Sequence, residues 1–79
     1  MSKSATLASC AIGKTYEICG FNTFCNDTSR ELLILLGFYP GETVTPAFTS
    51  PFGDPTAYIL GCGAQVALRN KEAEYLLVK

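Results

Sequence analysis

The chain has no histidine and no tryptophan, and its single methionine is the first residue. Without histidine it lacks the usual general base near neutral pH and the commonest metal ligand, so neither catalysis nor a cofactor is expected. Charge is scarce as well: 16% of residues are charged, and six basic against seven acidic side chains leave a net charge of −1. Lys3, Lys14, Arg30, Arg69, Lys71 and Lys79 are scattered, so no basic stripe exists to neutralise phosphates and nucleic acid is not an expected partner. The longest uninterrupted apolar run, Leu32 to Leu36, is far too short to cross a bilayer, which argues against direct membrane insertion.

What remains is 79 residues of which 48% are hydrophobic. That is too apolar for disorder and too short for more than one core, so residues 1–79 should form a single domain. The four cysteines, Cys10, Cys19, Cys25 and Cys62, fall at irregular spacings without a Cys-x-x-Cys pair, which fits neither a zinc knuckle nor a thioredoxin-type motif. Leu7-Ala8-Ser9-Cys10 mimics a lipoprotein processing box, but the six residues ahead of it include Ser2, Lys3 and Ser4 and no apolar stretch. The expectation is a reduced, cytoplasmic chain with two or three thiols packed as small apolar groups. Cys10, Cys19, Cys25, Asp27 and Glu31 could supply soft and hard ligands, yet their spacing specifies no metal site and none is assigned.

Residues 1 to about 6 read as a loose polar start, followed by a segment that Leu7 and Ile12 anchor to the core and Gly13 closes. From Thr15 to Phe21 apolar Tyr16 and Ile18 alternate with Thr15 and Glu17, the period of a half-buried strand. Thr28-Ser29-Arg30-Glu31 fits a capping box and predicts a short helix over about 28–36, ended by Gly37 in the left-handed conformation. Beyond the Pro40-Gly41 turn, strand-like runs follow at 42–49, 56–60 and 64–69, with a helical turn near 71–74 and a last strand at 75–78. The connections are too short for crossover helices, so pairing should be antiparallel. Val44 and Phe48 are placed on one face of the 42–49 run, and Pro46 marks it as an edge strand or a bulge. Asp54, between Gly53 and Pro55, is expected to bond nearby amides and fix its hairpin. About five short antiparallel strands and one small helix describe a mainly β fold, a small barrel in which closure removes exposed edges.

Leu33-Ile34, Leu36-Gly37-Phe38, Pro40-Gly41, Pro51-Phe52-Gly53-Asp54-Pro55, Val66-Ala67-Leu68-Arg69, and Glu72-Ala73 through Leu76 and Val78 form a pattern that resembles the FeoA family of bacterial ferrous iron transport. Leu7, Gly13 and Ile18 fall where that family places its first strand, so the resemblance covers nearly the whole chain. It implies an SH3-like barrel, found as a small cytoplasmic protein alongside FeoB, the Fe(II) transporter with a G-protein domain, and not known as an enzyme. The module is also similar to the C-terminal domain of iron-dependent repressors. Two alternatives to transporter docking are therefore kept: a protein-interaction module of the repressor type acting outside transport, and a thiol-based metal chaperone.

On a helical wheel Ser29, Leu33, Ile34 and Leu36 share the expected core face, and Thr28, Glu31, Leu32 and Leu35 fall opposite. The resemblance implies polar residues where Leu32 and Leu35 stand. These two, with Tyr39, are candidate partner-binding residues for self-association or for the transporter, unless residues 1–12 fold over them. Phe52, at the tip of a turn where burial is difficult, is the fourth candidate.

Overall fold

The computed structural model describes residues 5–79, which form six antiparallel strands and two helices. In chain order these are β1 (Ala5–Thr6), a single 3-10 turn at Leu7–Ser9, β2 (Tyr16–Phe21), α1 (Asp27–Leu36), β3 (Thr43–Thr49), β4 (Thr56–Leu60), β5 (Gln65–Leu68), α2 (Asn70–Ala73) and β6 (Leu76–Val78). The strand order is β1-β6-β2-β3-β4-β5, a sharply bent sheet wrapped around one core of the SH3-like kind. The core is made by the inward positions of this sheet: Ile18, Val44, Tyr58, Leu60, Leu68, Leu76 and Val78 are all buried. Leu7 seals it from below the 3-10 turn, as its sequence position suggested, whereas Ile12 is exposed. Gly13, whose amide donates to the Pro46 carbonyl at 2.8 Å, ties that turn to β3 through backbone alone, and Ile12 is left outside.

The polar start is not loose throughout. Ala5 and Thr6 pair with Val78 and Leu77, adding a sixth strand that is too short to show a period of its own. Residues 1–4, the first part of that start, lie outside the described residues.

α1 begins one residue before the expected helix, with its cap two residues ahead of the expected Thr28. Asn26 is its N-cap, and its side chain accepts from the Ser29 amide at 2.7 Å. Asn is at least as good a cap as Thr, and the earlier start places Asp27 in the first turn, where its charge favours the helix dipole and pairs with Arg30. The helix ends as expected. Gly37 has φ 107°, its amide donates to the Ile34 carbonyl, and the Phe38 amide donates to that of Leu33 at 2.9 Å. This pair of bonds is a Schellman closure, and it drives Phe38 straight into the core, edge-on to Tyr58 with ring centroids 6.3 Å apart.

Of the two readings of Pro46, edge strand or bulge, β3 takes the bulge: it is a central strand, flanked by β2 and β4. Pro46 is tolerated because β2 pairs with β3 only at Thr43 and Val44, so the position without an N–H lies where β2 has already turned away. A bulge between Pro46 and Phe48 then reverses the alternation. Val44 is buried, but Phe48 is 58% exposed on the other face of the sheet.

The helical turn expected near 71–74 is α2, which starts one residue earlier; Arg69 stands at its N-cap, and its amide donates to the Glu72 carboxylate at 3.0 Å. An arginine side chain has no acceptor, so only this half of a capping box exists.

Gly37 combines a positive φ with a close neighbour: a Cβ built there would lie 2.7 Å from Cδ1 of Leu60. Gly37→Ala combines left-handed strain with that clash and should lower stability by about 2 kcal/mol. Gly41→Ala, also at positive φ but with open space around it, should lose only about 1 kcal/mol in the same urea titration.

Candidate functional site

Among the described residues no three His, Cys, Asp or Glu side chains group closely enough to hold a metal ion. No buried side-chain polar atom among them lacks a hydrogen-bond partner. One depression, about 310 Å³, is a shallow dish on the outer side of α1 lined by Glu31, Ile34 and Leu35. It holds a single carboxylate and no second ionisable group, so nothing converges there to move a proton or bind a cation.

Two surfaces stand out. The first is α1. Only Leu33 of its face is fully buried and Ser29 is half-buried; Ile34 and Leu36, expected in the core, are both exposed. The helix touches the barrel along a narrow line set by Leu33, Cys25 before it and Phe38 after it, and a stripe that narrow leaves most of the five-residue apolar run in solvent. Leu32 is 51% exposed and Leu35 83%, with Tyr39 also exposed just beyond the helix end. The N-terminal segment does not fold over them within the described residues, because β1 is tied to β6 and Leu7 is sunk in the core.

The second surface is the β3–β4 loop. Phe52 is 94% exposed at its tip. The loop beneath it is braced: the Ser50 hydroxyl donates to the Asp54 carbonyl at 2.7 Å, the Gly53 amide donates to the Ser50 carbonyl, and the Asp54–Pro55 peptide is cis. Asp54 does not serve its own hairpin as expected. Its Oδ1 accepts from the Asn70 amide at 2.8 Å, and the Asn70 side-chain amide returns a bond to the Gly53 carbonyl at 3.1 Å. A loop and a helical turn sixteen residues apart are thus buttoned together, and Phe52 projects from a fixed base. These four candidates therefore lie on two separate elements, with Phe52 apart from Leu32, Leu35 and Tyr39.

The sequence reading missed Phe48 and Ile59, both exposed on the outer face of β3 and β4 beside Ala57. The only signal for Phe48 was Pro46, whose bulge changes the parity that follows it. The thiols divide in two. Cys19 and Cys62 are exposed, Cys25 is buried and Cys10 half-buried, and all four are free. Burial pushes the Cys10 thiol up, against a smaller opposing effect of its hydrogen bond with Tyr16. Burial also raises Cys25, partly offset by the Arg30 charge.

Two outcomes follow from this geometry. Asp54→Ala removes the acceptor for the Asn70 amide and should lower stability by about 1–2 kcal/mol in urea unfolding, while amide exchange at Asn70 speeds up. With a thiol-reactive chromophore, Cys19 and Cys62 should label in the native protein and Cys10 and Cys25 only on unfolding. Because the folded state holds the two raised thiols neutral, their contribution to stability is complete below about pH 8.5 and should be lost as pH climbs above it.

Comparison with known proteins agrees with the fold. The FeoA domain model matches residues 5–79, while no curated protein sequence matches. Among solved structures, an FeoA-like protein from Clostridium acetobutylicum is 26% identical with a TM-score of 0.86, the match covering 100% of this chain and 88% of that one. The zinc-complexed FeoA of Stenotrophomonas maltophilia, described as a procaryotic SH3 domain protein, is 27% identical with a TM-score of 0.79, covering 95% and 89%. A manganese-dependent transcriptional repressor reaches a TM-score of 0.87 at 15% identity, over 100% of this chain and 37% of the repressor, a likeness of fold alone. With the domain model matched from β1 to the last residue, the chain belongs to the FeoA family, and its role lies in ferrous iron transport.

Proposed function

We propose that the protein is a non-enzymatic, cytoplasmic accessory of bacterial ferrous iron uptake that docks on an FeoB-like transporter, with Phe52 as the aromatic anchor of the contact. The observation that carries this reading is the exposure of Phe52, 94%, on a loop whose base is fixed by the Asp54–Asn70 and Gly53–Asn70 bonds. A large aromatic ring in water loses the benefit of burial, worth about 1.5–3 kcal/mol. Its presentation on a rigid base means that a partner's pocket need not first order it, which is how a few aromatic residues come to dominate interfaces. No helix of the described residues is long and apolar enough to span a membrane, so contact falls on a part of the transporter that a water-facing surface can reach. Regulation then follows from differential affinity: the protein favours whichever conformation of the transporter it binds more tightly, without bond chemistry of its own.

The test is capture of full-length transporter and of its isolated G-protein domain, in nucleotide-free, GDP- and GTP-analogue states. Phe52→Ala should weaken capture at least about tenfold while the melting temperature stays at the wild-type value. No capture by the wild-type chain in any state, or capture that Phe52→Ala leaves intact, would remove the reading.

A further inference from the structure

Thr28, Leu32 and Leu35 recur at spacings of four and three along the solvent side of α1, with Leu36 and Tyr39 flanking the row. That is the period of a helix–helix seam, in which each apolar knob enters a hole on a facing helix. We propose that this face of α1 pairs with the same face of a second copy of the chain, antiparallel across a two-fold axis that sets Leu32 of each copy against Leu35 of the other.

Several observations favour a second copy. The row is self-complementary: an axis passing between Leu32 and Leu35 makes the two halves equivalent, which an isologous contact requires. No like charges meet under that axis. Glu31, the one charged side chain lining the dish beside Leu35, falls opposite Leu36 of the second copy, and Asp27 and Arg30 lie toward the far end of the helix, already paired with each other. Antiparallel packing also opposes the two helix dipoles favourably. The dish lined by Glu31, Ile34 and Leu35 supplies a recess beside the projecting Leu35.

The area is sufficient for a weak dimer. Leu35 at 83% and Leu32 at 51% exposure, with Leu36 and Tyr39 each two-fifths exposed or more, present several hundred Å² of contiguous apolar surface, about the largest patch that monomers tolerate. Two such faces together approach the roughly 1,000 Å² at which specific interfaces begin. The other exposed apolar side chains form no comparable row. Phe48 lies opposite Ala57 and Ile59 opposite Thr45 on one sheet face, and Phe24 packs tilted against Tyr75 at 5.4 Å. Self-association through α1 is independent of docking through Phe52, because the two lie on different elements.

Sedimentation velocity on the full chain from about 10 to about 500 micromolar tests the pairing. The wild-type chain should move from one-chain to two-chain mass across this range. Leu35→Glu should weaken association at least about tenfold, and Phe52→Ala should leave the wild-type curve unchanged. If Leu35→Glu disturbs folding, read by its melting temperature, folded Leu32→Gln at the opposing position decides instead, with the same loss expected. A wild-type chain that stays single throughout overturns the proposal. So does an oligomer larger than two, or a dimer that survives folded Leu35→Glu or Leu32→Gln, which would place the contact elsewhere, on the Phe48–Ile59 side or on residues 1–4.

Discussion

The turn at Gly37 is the constraint on which the arrangement of the molecule rests. A ten-residue helix is marginal in water by itself, and α1 buries only one leucine fully against the barrel. What holds it is the closure at its C-terminus: two backbone bonds across Gly37 force the chain to reverse, and the residue that follows, Phe38, is wholly buried against Tyr58. The left-handed φ is open to glycine at little strain, and Leu60 occupies the space a side chain would need. Helix, core and barrel are therefore joined at one residue with no side chain. Because the join is at the end of the helix and not along it, the flank of α1 has no barrel beneath it.

That consequence explains why the helix was both the most legible element and the most misjudged. Its limits followed from local chemistry, a capping residue and a terminating glycine, and were displaced by only one residue at the start because Asn26 and Thr28 offer the same kind of oxygen to neighbouring amides. Its core face was misassigned at Ile34 and Leu36, since periodicity names a direction and not a width, and nothing in the spacing tells how broad a surface the sheet provides. The β-region shows the same division. Ile18 and Val44 were readable from alternation, but alternation is a parity rule, and the extra residue after Pro46 inverts it for Phe48. β1 could not be seen at all, because two residues carry no period and exist as a strand only through β6.

The candidate site was legible in a narrower sense. Exposure of Phe52, Leu32 and Leu35 followed from a turn tip and from a helix with leucines on opposite sides. The brace beneath Phe52 did not, because the Asp54–Asn70 bond joins positions sixteen residues apart, and a carboxylate flanked by Gly53 and Pro55 reads locally as a turn former. Long-range hydrogen bonds leave no trace in spacing. They are nonetheless what turns an exposed aromatic into a preorganised one.

A chain of 79 residues has little choice about exposing apolar surface, since small domains bury a smaller fraction of it than large ones. The informative question is which of its exposed hydrophobic side chains are incidental. Ile12, Phe48 and Ile59 are separated by polar or small neighbours, an ordinary condition of protein surfaces. Phe52 is raised on hydrogen bonds that serve no core, and the α1 leucines are contiguous. The chain has no histidine, and among the described residues no three metal-ligating side chains cluster, so these two surfaces are its most distinctive features. A rigid surface that did contact a partner would favour whichever of the partner's states it bound more tightly. The brace under Phe52 and the glycine at the end of α1 each fix the backbone locally, so a contact made at either surface would have less conformational entropy to overcome.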